Sequence, residues 1–243
     1  ALYAYDGPLG ISFASSVTTL RVWAPTAQRL RILIFDNPTG DAPTETLDMR
    51  FEPDSGVWSA EGSWVGKYAQ YEITAFSPLT NAVETSWTTD PYSRSLSANG
   101  ERMHLIDISS AHQQPMLFPE GWASLAKPAL EAFTDAAIYE LHVRDFSASD
   151  WSVSEHLRGG YLAFTQAESV GMRHLRSLAE AGLTHVHLLP SYDFGSVDER
   201  KERWRWPPSF EELARMAPDS EEQQRLVFEC ADNDAFNWGY DPV

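Results

Sequence analysis

Apolar and polar positions alternate along the first hundred residues of the chain. Leu20 and Val22, and then Leu30, Ile32 and Ile34, recur every second residue, the period of a strand with one buried face. Proline, glycine, asparagine and aspartate separate these runs at short intervals, as turns require. This spacing predicts a small β-sandwich, which we assign to residues 1–112.

A third run of the same period covers residues 67–76, with Ala69, Tyr71 and Ile73 on one face. A hairpin turn is predicted just before it, at residues 53–56. Prolines and a glycine then interrupt the pattern, and we interpret residues 113–132 as a linker.

Beyond the linker the hydrophobic pattern predicts a strand, a helix and a second strand. Residues 136–143 and 184–190 are apolar runs typical of strands buried on both faces. Apolar residues at helical spacing follow Ser169, and Gly182 is placed to end that helix in a left-handed conformation. The order favours parallel pairing with a right-handed crossover.

Residues 191–237 are mostly polar. They include a mixed-charge run at residues 199–203, interpreted as a solvated face, and a predicted helix near residues 220–229. The spacing of Ser220 and Gln223 predicts a cap at the start of that helix.

The composition narrows the classes of partner. The chain has 243 residues, 43% of them hydrophobic, enough to bury a core, and a formal net charge of −17. This charge argues against nucleic acid and leaves a neutral polymer as a partner. No apolar run is long enough for a membrane span, and Cys230 has no second cysteine to pair with.

The densest candidate binding cluster is residues 234–242. Trp238 and Tyr240 offer aromatic faces, and Asn237 and Asp241 offer hydrogen-bonding groups, a combination that suits sugars. The alternative is a tight turn whose aromatic residues belong to the core.

Six segments, in the same order, resemble the pullulanase and limit dextrinase family of starch debranching enzymes. They are YDGPLG (residues 5–10), WAPTA (23–27), TDPYS (89–93), IYELHVRDF (138–146), RGGY (158–161) and NWGYDP (237–242). A further segment, LTHVHLLPS (183–191), is most similar to the plant and algal limit dextrinases.

The resemblance implies hydrolysis of α-1,6 branch linkages in pullulan, amylopectin and limit dextrins, with retention of configuration. It implies a multidomain fold in which residues 1–112 are a β-sandwich carbohydrate-binding module. Residues 133–243 are then the first part of a truncated (β/α)8 TIM barrel of glycoside hydrolase family 13. It also implies a plastid stroma as location, with a secreted bacterial enzyme as the alternative.

The resemblance assigns substrate binding to the NWGYDP segment. Tyr240 is expected to stack on the glucose whose bond is cut, with Trp238, Asn237 and Asp241 beside it. No residue of this chain is assigned as catalytic, because the family's Asp, Glu and Asp lie on strands expected beyond Val243. The chain is therefore expected to be an inactive segment of a larger enzyme; the alternative is a non-catalytic glucan-binding or regulatory protein that ends at Val243.

The sequence offers other candidate sites. His185 and His187 would share one side of a strand near His142, but further zinc ligands are not evident. No cofactor is expected. A structural calcium is left open, since aspartates of the first hundred residues could supply oxygen ligands, although no acidic loop has the spacing of a dedicated site. Four tryptophans of the sandwich form either a sugar platform or, as we expect for most of them, core: Trp23, Trp58, Trp64 and Trp87.

Overall fold

The computed structural model describes residues 3–40, 42–110, 117–127, 129–192, 194–234, 238 and 240. The chain divides into two compact units, with the boundary between Ala123 and Ser124.

Within the described part of the first unit, nine strands form two antiparallel sheets. One sheet has the order β1-β2-β6-β5, and the other has the order β4-β3-β7-β8 with β9 paired to β7. The strands are β1 (Gly10–Ala14), β2 (Val17–Trp23), β3 (Ala27–Phe35), β4 (Glu45–Asp48), β5 (Arg50–Glu52), β6 (Val57–Gly62), β7 (Tyr68–Ser77), β8 (Ala82–Thr88) and β9 (Met103–His104).

The core of this unit draws side chains from both sheets. Leu20 of β2 is fully buried in the same cluster as Leu30, Ile32 and Ile34 of β3 and Tyr71 of β7. Each large apolar side chain buried in this way contributes about 1.5–3 kcal/mol. The predicted β-sandwich and its alternating inward positions are confirmed.

The turn between β5 and β6 is built around Gly56. Its φ of 75° lies in the left-handed region, and a Cβ at this position would come within 2.7 Å of the Pro25 Cβ. Glycine satisfies both constraints because it has no side chain. The hairpin predicted at residues 53–56 is confirmed.

The second unit contains a two-stranded parallel sheet. β10 (Ile138–Leu141) pairs with β11 (His185–Leu188) in a register that sets Ile138 opposite His185 and Leu141 opposite Leu188. The predicted parallel pairing is confirmed. The described α-helices are α1 (Val143–Ser147), α2 (Val170–Glu180), α3 (Phe210–Leu213) and α4 (Glu222–Phe228).

The helix predicted to follow Ser169 is present as α2, and both of its ends are capped. The Ser169 hydroxyl accepts a hydrogen bond from the Met172 main-chain N–H at 3.2 Å, which satisfies one unpaired donor of the first turn. At the other end Gly182 adopts a φ of 107°, and the Leu183 N–H donates to the Leu178 carbonyl at 2.9 Å.

The predicted burial of the two parallel strands is wrong. All four residues of β11 are exposed, and Ile138 of β10 is 61% exposed. A strand is covered on both faces only when other elements pack on each side of its sheet. The described sheet consists of only these two strands. The predicted strand at residues 136–143 also ends earlier, because Val143 begins α1 with His142 as its N-cap.

The predicted cap of α4 is corrected as well. Glu221 is the N-cap residue, and the Ser220 hydroxyl accepts from the Glu222 N–H at 3.4 Å. The Gln223 side chain instead donates to the Leu213 carbonyl at 2.7 Å. Gln223 therefore ties α4 to the end of α3, and a long-range partner replaces the local cap.

Candidate functional site

A cleft of about 740 Å³ opens in the second unit at the carboxyl ends of its parallel strands. His142 and Val143, which follow β10, line it together with Pro190 and Ser191, which follow β11. The carboxyl ends of parallel strands share one edge of a sheet, and this edge is where ligand sites of α/β folds form.

Four phenylalanine, tyrosine or tryptophan residues contribute to the wall of the cleft: Tyr161, Phe194, Trp204 and Trp206. The rings of Trp204 and Trp206 lie nearly perpendicular, at 82°, with centroids 5.9 Å apart. Trp204 is half-buried, whereas Trp206 is 60% exposed. Sequence reasoning missed both tryptophans, although their presence in a polar segment was the available signal.

Trp204 is held by the charged run that precedes it. Its indole N–H donates to the main-chain carbonyl of Asp198. The Asp198 carboxylate binds the guanidinium of Arg200 at 3.0 Å and that of Arg203 at 3.3 Å, and the Lys201 ammonium lies 5.7 Å from the Trp204 ring centroid. The mixed-charge run therefore supports a cleft residue in addition to facing solvent.

Polar groups accompany the rings. The Tyr161 hydroxyl donates to the Ser191 carbonyl at 3.1 Å, which connects two segments of the wall. The Arg158 guanidinium donates to the Val153 carbonyl at 2.9 Å, and Glu155 and His156 add further hydrogen-bonding groups to the lining. Aromatic faces beside donors and acceptors suit a neutral polyhydroxylated ligand.

The predicted binding segment approaches the same strand end. The Trp238 ring, 54% exposed, meets the ring of His142 edge-on with centroids 5.8 Å apart. Tyr240 is 70% exposed. The other two predicted site residues, Asn237 and Asp241, lie outside the described residues. Through Trp238 this segment contacts a residue that lines the cleft.

The described lining of the cleft contains one carboxylate, Glu155. Retaining glycoside hydrolysis uses two carboxyl groups about 5 Å apart. Asp145 is engaged in an ion pair of 2.8 Å with Arg144. We therefore assign no catalytic residue to the described part of the chain.

The three histidines considered as metal ligands have hydrogen-bonding partners. His187 lies 3.1 Å from Glu140, His185 lies 2.8 Å from the Thr184 hydroxyl, and the His142 ring accepts from the Asp145 main-chain N–H at 3.4 Å. Among the described residues, no group of three or more His, Cys, Asp or Glu side chains is placed to hold a metal ion.

The four candidate tryptophans of the sandwich separate into two classes. Trp58 and Trp64 are buried, with their indole N–H groups donating to the Ala24 carbonyl at 3.0 Å and to Glu45 at 2.8 Å. Trp23 is partly exposed and donates to the Ser55 carbonyl, whereas Trp87 on β8 is 61% exposed.

Trp87 belongs to a row of side chains across the outer face of the second sheet. Trp87 lies opposite Glu72 of β7 in the strand register, and Glu72 in turn lies opposite Arg31 of β3. The Arg31 guanidinium donates to Glu72 at 2.7 Å. One row away, the hydroxyls of Thr74 and Thr85 lie 2.9 Å apart. An exposed indole thus stands beside fixed polar groups on a sheet face.

Comparison with known proteins identifies the relatives of both units. Residues 8–93 match the carbohydrate-binding module 48 family (isoamylase N-terminal domain). The whole chain aligns with "Pullulanase 1, chloroplastic" of Arabidopsis thaliana at 46% identity, spanning 25% of that protein. The chain is a homologue of the pullulanases.

Bacterial pullulanases also resemble this chain, both in sequence and in structure. The Klebsiella pneumoniae pullulanase is 33% identical over 96% of the chain. The crystal structure of Klebsiella pneumoniae pullulanase complexed with maltotriose superposes with a TM-score of 0.86 at 31% identity, covering 98% of the chain and 26% of that protein. The pullulanase homologue described here spans about a quarter of the length of these relatives.

None of the described helices combines the length and the apolar character that crossing a bilayer requires.

Proposed function

We propose that this chain is a segment of a starch debranching enzyme that hydrolyses α-1,6-glucosidic linkages in pullulan, amylopectin and limit dextrins with retention. The observation that carries the proposal is the aromatic-lined cleft at the carboxyl ends of β10 and β11, in a chain that is homologous to pullulanases throughout its length. Such an edge is where (β/α)8 enzymes assemble their active sites.

The proposed architecture places the carbohydrate-binding module at residues 1–112, a linker at 113–132 and the first part of a (β/α)8 barrel at 133–243. The parallel β10–β11 pair, with α2 between its strands in the sequence, supports the barrel. So do the exposed apolar side chains of Ile138, Val186 and Leu188, which further strands and helices would cover.

Activity on pullulan tests the proposal. We expect this chain alone to release no reducing ends, and the longer enzyme, purified from its source, to release them and to form the α-anomer first, as proton NMR would record. The mass of the native protein should be several times 27.3 kDa. A native mass equal to that of this chain, without hydrolysis, would favour the non-catalytic glucan-binding alternative.

The module is proposed to bind α-glucan through Trp87 and the polar row beside it. Trp87→Ala should weaken retention of the chain on immobilised amylose, because the exposed ring provides a flat face for a glucose unit. Trp23→Ala, on the other sheet, is the matched control and should bind normally. Equal retention of both variants would reject this role.

The proposed cellular location of the protein is inferred from its relatives. A chloroplastic relative supports the plastid stroma, and the bacterial relatives support the secreted alternative. Fractionation of the source cells distinguishes the two: recovery with stromal markers supports the first, and recovery from the medium supports the second.

A further inference from the structure

We propose that Trp206 is the stacking residue of a glucosyl subsite in the cleft, supplied by the segment that follows β11. This inference rests on the proposed function and specifies which side chain of the cleft contacts the α-glucan. Trp206 lies outside the NWGYDP segment, to which the family resemblance assigns substrate binding.

The two cleft tryptophans differ in what they offer a ligand. The Trp204 indole N–H is used inside the protein by the Asp198 carbonyl, and its ring is half-buried. Trp206 is 60% exposed, and its indole N–H has no hydrogen-bond partner within the described part of the chain. Trp206 therefore adds an exposed ring and an indole donor without an internal partner to the lining of the cleft, and a sugar can use both.

The segment that carries Trp206 is fixed on both sides. The Arg205 main-chain N–H donates to the Asn233 carbonyl at 2.8 Å, and the Trp204 ring packs edge-on against Trp206. Pro207 and Pro208 follow directly and restrict the backbone. A ring held in place before the ligand arrives loses little conformational entropy on binding.

The surroundings of Trp206 combine aromatic rings with hydrogen-bonding groups. Three cations belong to the lining: Arg144 pairs with Asp145 at 2.8 Å, Arg158 donates to the Val153 carbonyl at 2.9 Å, and the Lys201 ammonium lies 5.7 Å from the Trp204 ring centroid. The exposed Tyr161 supplies a further ring to the lining. Exposed rings beside hydrogen-bonding groups match the apolar faces and hydroxyls of an α-glucan.

Binding of maltotriose to the chain tests the subsite. The parent and all variants carry Trp87→Ala, so that the site proposed on the module does not contribute to the measured binding. Trp206→Ala should weaken maltotriose binding in calorimetry by about tenfold, the scale of a lost aromatic contact together with its buried area. Phe210→Ala removes an exposed ring that is not part of the cleft lining and should bind like the parent.

Oxidation by N-bromosuccinimide gives a second readout that does not depend on a variant folding. Maltotriose should protect Trp206 but leave the oxidation rate of Trp151 unchanged, because Trp151 is exposed and is not part of the lining. Peptide mass spectrometry separates the two sites.

The outcomes distinguish the subsite from the broader function. If the parent binds maltotriose but Trp206→Ala binds equally and Trp206 is not protected, the subsite is overturned while glucan binding by the chain stands. If the parent shows neither binding nor protection, the subsite is again overturned, and pullulan hydrolysis by the longer enzyme decides the proposed function separately.

Discussion

Tyr71 donates a hydrogen bond of 2.6 Å from its phenol to Oδ2 of Asp90 in the interior of the sandwich. Tyr71 is fully buried on β7, and Asp90, in the loop after β8, is 3% exposed. The other oxygen of Asp90 accepts from the Tyr92 main-chain N–H at 2.7 Å. The pair therefore ties the TDPYS loop to the middle of the core, and both carboxylate oxygens have a partner.

Tyr71→Phe should lower the free energy of unfolding by about 1–3 kcal/mol, because it leaves a buried carboxylate oxygen without its donor. Urea denaturation measures the change. Tyr68→Phe is the matched control, since the Tyr68 hydroxyl makes no hydrogen bond within the described part of the chain. Equal stability of the two variants would contradict the assigned role of the Tyr71–Asp90 bond.

Asp90 should make stability depend on pH. Burial raises the pKa of its carboxyl above the ordinary value, and the hydrogen bonds from Tyr71 and Tyr92 oppose the rise only in part. The folded state then holds this proton more tightly than the unfolded state. The resulting contribution to stability is full below the unfolded pKa, near 4, and is lost as the pH rises through the folded pKa.

The measurement is the difference in unfolding free energy between the wild type and Asp90→Asn as a function of pH. It should fall with rising pH and then level off. Asp48→Asn gives the opposite sign, because the hydrogen bond from Arg29 lowers the pKa of Asp48, although that group is exposed and its effect should weaken with added salt. Parallel curves for the two variants would refute the assignment.

Gly56→Ala should destabilise the module by more than the backbone cost alone. A left-handed conformation costs a residue with a Cβ about 1–2 kcal/mol, and here the added atom would also meet the Pro25 Cβ at 2.7 Å. Gly66→Ala isolates the backbone cost, because Gly66 has a φ of 82° and nothing within 4 Å of the added atom. Thermal unfolding compares them, and equal losses would contradict the steric argument.

Tyr240→Ala in the longer enzyme should lower kcat/KM on pullulan at least about tenfold, a loss of ~1.4 kcal/mol of transition-state binding. The reason is the proposed stacking of Tyr240 on the sugar whose bond is cut. Phe228→Ala, an exposed aromatic residue on α4, is the control and should retain activity. Unchanged kinetics in Tyr240→Ala would show that the stacking role does not carry over from the family.

The sandwich was predictable because its signals are local. The period-two burial of Leu30, Ile32 and Ile34 follows from the pleat of one strand, and the turn at Gly56 follows from residues adjacent in the chain. The same holds for α2, whose cap at Ser169 and terminating glycine lie within a few residues of its ends. The motifs that indicate pullulanase relatives are likewise short, contiguous stretches of sequence.

The site was predictable only in part. The sequence indicated the segment of Trp238 and Tyr240, but its proximity to His142 joins positions almost a hundred residues apart. The predicted cap of α4 was wrong for a related reason, because the Gln223 side chain donates to the Leu213 carbonyl on another helix.

The sequence by itself determined the strands of the sandwich, the helix that follows Ser169, the parallel pairing and the pullulanase relationship, because periodicity, caps and motifs are properties of neighbouring residues. Only the tertiary structure decided which tryptophans are core and which are exposed, how little of β11 is covered, and that Trp204 and Trp206 line a cleft with Tyr161. Burial and clefts depend on what packs across large separations in sequence, and one-dimensional spacing does not specify those distances.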